Sequence, residues 1–453
     1  MMPEEILDAC RKQAVRLVRF LYCDNGGVIR GKATHVERLG ERLRDRIRTG
    51  IGLTVAMQAM NSLDQLQSVE GMGPVGEIRL VPDPDTFTVL PYAPHTAAML
   101  VDHVRLDGQP YEAGPRSFLK RMTARLAERG MVLSCAVENE WSLATRRDGG
   151  YVPVDESLCF STVGMAASAD VTDATVTALA EQGIQVEQYY AELGHGQQEL
   201  SVAPRPAVQA ADTQVLVRET IRGVAAQAGL VASLAPKPWP DQAGNGAHIH
   251  LSLWGGDGQR NLFHDPTGRF GLSRTAEQFV AGVLAHAPGL LGLTAPSVNS
   301  YHRLLPQHWS SAFVCWGPDN REATVRVPST FWGMEQASTN LEFKPTDASC
   351  NPYLAFGALI AAGLDGIERE LEAPEPMSVD PATLPDRERE VAGARRYPTT
   401  LEESIEALER DEVLVEALGD LLARSYLAVR RSEWEAYSAM PDDERFRAHF
   451  LKY

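Results

Sequence analysis

Residues 244–254 read GNGAHIHLSLW, and from Ala247 onward apolar and polar side chains alternate. Ala247, Ile249, Leu251 and Leu253 form one set; His248, His250, Ser252 and Trp254 form the other. Successive side chains of a strand point to opposite faces. The stretch therefore predicts a strand with one apolar face and one face carrying two imidazoles and a hydroxyl. Taken singly, such a pair reads as a half-exposed strand with polar residues in water. The constraint comes from recurrence. VLSCAVENEWSL (132–143) is apolar and then places Glu138 and Glu140 on one strand face. QYYAELGHGQQELSVAP (188–204) adds Glu192 and Glu199, with Gln197, Glu199 and Ser201 in phase. TNLEFKPTD (339–347) puts Glu342 and Lys344 on one face. Neighbouring carboxylates on a strand repel unless exposed, protonated or bridged by cations. Together with His248, the five glutamates outline a polar-lined cavity.

Such a donor set is dominated by oxygen and suits Mg²⁺ or Mn²⁺ better than structural zinc. Five carboxylates exceed the needs of a single Mg²⁺, so two or more ions are expected, as in sites that serve phosphoryl chemistry. NSYHRLLPQHWSSAFVCWGPDNREATVRVP (299–328) supplies Arg303, Arg321 and Arg326. Arginine forks bind carboxylate and phosphate oxygens in pairs. No GxxxxGK[ST] occurs and no GxGxxG opens a helix, so any nucleotide is held without a P-loop or a dinucleotide fingerprint.

The chain of 453 residues is long enough for two or three domains. Its formal charge of −17, with no basic stripe, argues against a nucleic-acid partner. Cys10, Cys23, Cys135, Cys159, Cys315 and Cys350 are scattered, with no CxxC spacing, and read as buried free thiols of a reducing compartment. MMPEEILDACRKQ has no apolar signal region, and YLAFGALIAAGL (353–364) is too short to span a bilayer. The expectation is a soluble cytoplasmic protein with no membrane partner.

Along the chain, residues 3–13 predict a short helix, and 14–33 a hairpin turning at Asn25-Gly26. Thr34 is the expected cap of a helix reaching about residue 48, and strand-like segments follow over 77–104. One helix crossing a small sheet would make an N-terminal domain, 1–105, followed by a second domain, 106–453. Helices are expected over 116–130, 171–183 and 213–229, each ending at a glycine. Asn351-Pro352 opens a buried helix to about 366. Residues 369–398, charged and proline-rich, read as a loop or linker, and Thr400-x-x-Glu403 as a capping box for a helical C-terminal region.

VENEW, ELGHGQQE, GNGAHIHLS, NSYHRLLP, NREATVRVP and LEFKPTDASCNPYLAFGALIAAGLDGI together resemble the signature stretches of the glutamine synthetase superfamily, in order, from about residue 15 to 435. The chain is most similar to the type I-related branch, which includes ligases joining glutamate to amines other than ammonia. The resemblance implies an α+β fold: a β-grasp N-terminal domain and a catalytic domain whose antiparallel strands form a funnel flanked by helices. It implies a homo-oligomer, a dodecamer of two hexameric rings with sites between neighbours. Glu140, Glu192 and Glu199 would hold one metal, and Glu138, His248 and Glu342 the second. His250 and Ser252 would face ATP and its transferring phosphate. Asn245 and Gly246 would touch the glutamate substrate, and Arg303 would clamp its carboxylate. Arg321, Arg326 and Lys344 would meet the phosphates. Asp24 would reach into the neighbouring subunit's site and help deprotonate the amine. The reaction so implied runs through a γ-glutamyl phosphate.

Three departures stand out. Lys344 occupies a position where the family often has arginine. The segment after the buried helix lacks the tyrosine-bearing loop that is adenylylated in regulated bacterial enzymes, and Tyr397 is too close to the next helix to replace it. Ammonia-using members carry a glutamate three residues beyond the proline of NSY-x-R-L-x-P; here that position is Trp309. An indole neither attracts ammonium by charge nor accepts its proton, but it packs on the carbon portion of an amine. An organic amine is therefore expected, with ordinary glutamine synthesis as the alternative. A non-catalytic relative would have lost metal ligands, whereas all six positions here carry ligating side chains.

Overall fold

The computed structural model describes residues 1–44 and 50–453. Its N-terminal part is a six-stranded sheet. The expected hairpin is present: Leu17–Cys23 runs antiparallel to Ile29–His35, with Cys23 opposite Ile29. Gly27, φ +76°, lies so close to the second part of the chain that a Cβ there would stand 1.9 Å from the Ser349 carbonyl oxygen. Thr96–Val104 runs parallel to Leu17–Cys23 in the middle of the sheet. The helix Val36–Arg44 crosses it. Thr34 belongs to the strand rather than capping that helix, and the expected continuation to residue 48 lies outside the described residues.

The second part is an eleven-stranded sheet that curls into a nearly closed funnel. Met131–Arg147 is its spine, flanked by Gln197–Val202 on one side and Ile249–Gly255 on the other, both antiparallel. Leu341–Phe343 and Ala323–Val327 continue the antiparallel order. Phe313–Pro318 then pairs parallel to Ala323–Val327, an exception to the expected all-antiparallel funnel. The return between them is short, residues 319–322. Asp319 takes φ 47°, and the Asn320 amide clamps the carbonyls of Met377 and Val379, each at 3.0 Å.

Outside the funnel lie the helices. Pro115–Ala127, Ala169–Glu181 and Ala207–Gln227 end two or three residues before Gly130, Gly183 and Gly229, all left-handed as expected. Asn351 caps Pro352–Glu368 through the Tyr353 N–H at 3.0 Å, and that apolar helix is core. Among the described residues no helix is long and apolar enough to cross a membrane. All six cysteines are free, five of them buried and Cys159 half-buried.

Residues 369–398 correct the linker expectation. They hold a helix, Asp386–Val391, and the short strand Arg395–Arg396, which pairs with Phe313–Pro318. Met377 and Ala394 are buried against Cys315 and Ala323, so this segment is part of the packed structure despite its charge and prolines. Tyr397 is buried, its hydroxyl accepting from Thr324 at 3.1 Å, and offers no accessible phenol for modification. Thr400 caps the next helix at the Glu403 N–H, but the Glu403 carboxylate answers to Thr399 rather than to Thr400, so the box is only half formed.

Candidate active site

The pleat of the funnel collects the polar residues. In the ladder, Ile249 faces Val137, and the Glu138 and Glu140 N–H groups donate to the His248 and Gly246 carbonyls at 3.0 and 3.3 Å. Glu199 is directly opposite Glu140, and Ser201 opposite Glu138. His250 and Arg326 both pair with Glu342, one from each side. Residues two apart on each strand thus share one face, and neighbouring strands bring those faces together.

Glu138, His248 and Glu342 offer ligand atoms that all lie within 4.8 Å of one another. His248 Nδ1 stands 3.3 Å from Glu138 Oε2 and 3.4 Å from Glu342 Oε1, and its Nε2 is buried without a partner. Cations surround this half. His250 Nε2 is 3.1 Å from Glu138 Oε1, Lys344 Nζ is 3.1 Å from Glu342 Oε1, and Arg326 Nη1 donates to Glu342 Oε2 at 2.8 Å. Burial alone would raise Glu138, but hydrogen bonds and charge from His248 and His250 outweigh it and hold the carboxyl well below its ordinary range. Burial also opposes ionisation of Glu342, yet Lys344 and the two histidines push its pKa down to about 2. His250, which burial would lower, is pushed up to about 9 by Glu138 and Glu342.

The other half lacks those cations. Glu140 accepts from Gln197 Nε2 at 2.8 Å, Glu199 from the Tyr190 hydroxyl, and Glu192 from the Leu193 N–H at 2.7 Å. Burial, together with the charges of Glu140 and Glu138, pushes Glu199 up to about 10; burial also raises Glu140 and Glu192. Glu140 and Glu199 face each other across the ladder, while Glu192, just past its strand, stands outside the compact triad. Crowded, desolvated carboxylates of this kind hold a divalent cation well, since the cation supplies the missing counter-charge.

Gly246 marks an open cradle between the halves. A Cβ there would lie 2.8 Å from Glu140 Oε1, 2.9 Å from His248 Nε2 and 3.2 Å from Arg303 Nη1. Only a residue without a side chain leaves room for a ligand group among these three. Arg303 is buried, bonded through Nη2 to the Thr346 carbonyl at 2.7 Å, with Nε unpartnered. Burial lowers its pKa against the pull of Asp347 and Glu140. Ser252 is on the His250 side of its strand, accepting from Trp254 Nε1 at 2.8 Å. Arg321 is exposed at the rim, near enough to Glu192 to draw that carboxyl's pKa down against its burial.

Three expectations change. The Asn245 side chain is fully committed: its amide donates to the Ser233 and Ala235 carbonyls at 3.2 and 3.0 Å and its oxygen accepts from Ser142 at 3.2 Å. It braces the loop, and Gly246 is what faces the cradle. Lys344 is buried and paired with Glu342, so its charge is engaged inside the floor rather than presented to phosphate. Asp24 does not project outward. It is wholly enclosed, accepting from the Val28 N–H at 2.9 Å and paired with Arg30. Burial raises its pKa against the pull of Arg30. Within the single chain this carboxylate is held by its own hairpin.

Sequence reasoning missed Tyr190, which faces Glu199 across a hairpin, and Glu322, which binds the Trp309 backbone. Tyr190 lies in a stretch where the glutamates draw the eye, and Glu322 hides behind the more conspicuous Arg321.

The funnel floor gathers carboxylates and histidines beside buried and exposed arginines, and one group in it, Glu138, His248 and Glu342, could hold a metal ion. The chain belongs to the glutamine synthetase family: the family's catalytic-domain model matches residues 112–449 and its N-terminal-domain model residues 2–111. It is 39% identical over 445 residues to the gamma-glutamylpolyamine synthetase GlnA3 of Streptomyces coelicolor, covering 97% of this chain and 94% of that protein. It is 31% identical to a glutamine synthetase of Methanococcus maripaludis, over 97% of each chain. Among solved structures it resembles a GmaS–ADP complex with TM-score 0.85 and 30% identity, covering 97% and 98% of the two chains. It resembles a glutamine synthase homolog with the same TM-score and 35% identity, covering 97% and 99%. The chain is thus a ligase of the glutamine synthetase family.

Proposed function

We propose that this ligase joins the γ-carboxylate of glutamate to an organic amine at the expense of ATP. The observation that carries the choice of amine is Trp309. It is exposed on the loop that springs from Arg303, at the position where the resemblance puts a glutamate in ammonia-using members. The relative named for polyamines supports the same choice.

In this reading Glu138, His248 and Glu342 hold one Mg²⁺ or Mn²⁺, and Glu140, Glu192 and Glu199 hold another. Bound there, the ions would neutralise the phosphate oxygens and draw charge from the leaving ADP. Gly246 leaves room for the glutamate substrate, and the buried Arg303 fork clamps its carboxylate. A γ-carboxylate oxygen then attacks the γ-phosphorus of ATP, a P–O bond forms, and ADP leaves. Arg326 and Arg321 stabilise the transferring group, whose charge is spread over its oxygens. The amine nitrogen next attacks the acyl phosphate carbon; phosphate leaves with the bonding pair, the nitrogen gives up a proton, and the amide remains. Positioning on the rigid floor supplies much of the rate, because the reactants are held rather than assembled by collision. A dodecameric assembly in the cytoplasm fits the family resemblance and the unpaired cysteines.

The test is ADP release with glutamate and a panel of methylamine, ethanolamine, a diamine, a polyamine and aniline, beside ammonium. ADP release should require both glutamate and an amine, with an organic amine giving the highest kcat/KM. ATP turnover independent of glutamate would remove the ligase reading. Ammonium leading by about tenfold, or about 1.4 kcal/mol of transition-state binding, would make this a glutamine synthetase.

A further inference from the structure

We propose that Glu322 is a positioning residue for the amine: it ties down the tip of the loop that carries Trp309 and so sets how well the amine is held. The inference rests on the amine reading of Trp309 and adds the residue through which that side chain is placed.

The loop leaves the site at Arg303 and rejoins the sheet at Phe313. Its base is well fixed. Ser310 Oγ donates to the Arg303 carbonyl at 2.8 Å, and Arg396 Nη2 donates to the Leu304 carbonyl at 3.0 Å. Its tip is strained. Gln307, Trp309 and Ser311 take φ values of 62°, 53° and 68°, a left-handed conformation that side chains other than glycine rarely adopt. Alternate residues held this way persist only where the surroundings over-determine them. The holding group at the tip is Glu322. Its Oε1 accepts the Trp309 N–H at 2.6 Å, and the Gln307 N–H is also directed at this carboxylate.

Glu322 is itself immobile. Its N–H donates to Asn320 Oδ1 at 3.0 Å, and the Asn320 amide is clamped to Met377 and Val379. The side chain is 5% exposed, and Oε2 is buried without a hydrogen-bond partner. Among the described residues no ion pair includes Glu322, so this carboxylate serves backbone amides rather than a cation. Burial raises its pKa. The consequence is visible at the surface: Trp309 is held 62% exposed, six residues beyond the arginine that faces the cradle.

Glu322→Ala and Glu322→Gln separate the roles, because the glutamine oxygen can still accept the Trp309 N–H. Two readouts apply to each. In Glu322→Ala, hydrogen exchange at the Gln307 and Trp309 amides should accelerate by about 100-fold. KM for the amine should rise by about tenfold, while KM for ATP and for glutamate stay within about twofold. Glu322→Gln should keep both close to the parent. If Glu322→Ala does not fold, Glu322→Asp withdraws the carboxylate and should give the alanine pattern. Unchanged exchange in a folded Ala or Asp variant, or equal rises in all three KM values, would overturn the proposal. The same variants are read with whichever amine the parent enzyme prefers. A parent that prefers ammonium refutes the organic-amine reading, while the variants still decide whether Glu322 positions the loop.

Discussion

The floor of the site and the loop beside it are built on opposite terms. On the floor, the charged side chains that stand on strands are set by the register of a ladder: Glu199 across from Glu140, Glu342 between His250 and Arg326. Moving one would mean slipping a strand, which would turn every neighbour to the wrong face. The loop has no ladder. Its tip hangs from one buried carboxylate and keeps three strained residues in place. The contrast teaches where each part of the function is stored. The proposed metal-holding residues reside in the pleat of the sheet. The proposed choice of amine resides in a loop, the kind of segment that varies without disturbing a sheet.

The largest effect should come from breaking the floor. Glu342→Gln or His248→Ala should lower turnover at least a thousandfold, about 4 kcal/mol, with the fold retained by circular dichroism. A chelator should do the same to the unmodified protein, and Mg²⁺ or Mn²⁺ should restore it. Near-normal turnover in either variant would mean that the triad is not part of the machinery.

Asp24 tests whether anything outside floor and loop takes part. Asp24→Asn removes the buried partner of Arg30, leaving Asp64 at 2.9 Å, and should cost about 2 kcal/mol of stability in denaturant melts, reduced because Arg30 is partly exposed and keeps that second pair. Asp24→Ala subunits should keep their own turnover once folded, and mixing them with Arg326→Ala subunits should add nothing beyond the sum of the two, because Asp24 is enclosed in its own chain. A gain beyond that sum would show that the hairpin opens in the assembly and that Asp24 serves a neighbour.

A smaller change should come from the loop. Trp309→Glu should shift the ratio of kcat/KM values toward ammonium by about tenfold, about 1.4 kcal/mol, with little change in KM for ATP. A fall with every amine alike would assign Trp309 to packing only.

The smallest effect belongs to a histidine remote from both regions. His286 lies 2.8 Å from Asp411 and 3.0 Å from Asp365. Burial opposes its charge, but the two aspartates raise its pKa above the ordinary value near 6.5. Its contribution is therefore complete below that ordinary value and fades as pH rises through the raised one. His286→Gln should lower Tm by roughly 2 °C near pH 6 and by less near pH 9, with kcat/KM ratios unchanged. A Tm difference that grows with pH would contradict the ion-pair account.

The floor was largely legible in the sequence because period-two alternation is a local signal, and four separate stretches carried it in phase. Glu138, Glu140, Glu199, His248 and Glu342 all stand on strands or at their ends, where spacing alone settles the face. The less legible parts depend on contacts distant in sequence. Nothing local distinguishes an Asp24 buried against Arg30 from one that reaches outward. Nothing near Asn245 shows that Ser142, Ser233 and Ala235 use up its hydrogen-bonding capacity. Residues 369–398 looked like a linker because proline and charge mask the burial of Met377 and Ala394. Glu322 was hidden for the same reason: its partner is a backbone N–H, which has no signature in side-chain pattern.

One competition experiment bears most directly on the division between floor and loop. The enzyme is given ATP, glutamate, and equal concentrations of ammonium and the organic amine of the panel with the highest kcat/KM, and the products are weighed by mass spectrometry. The account predicts the γ-glutamyl amide of that organic amine in at least about tenfold excess over glutamine, with ADP formed in equal amount to total amide. Glutamine as the main product, from a protein with Trp309 intact, would contradict it.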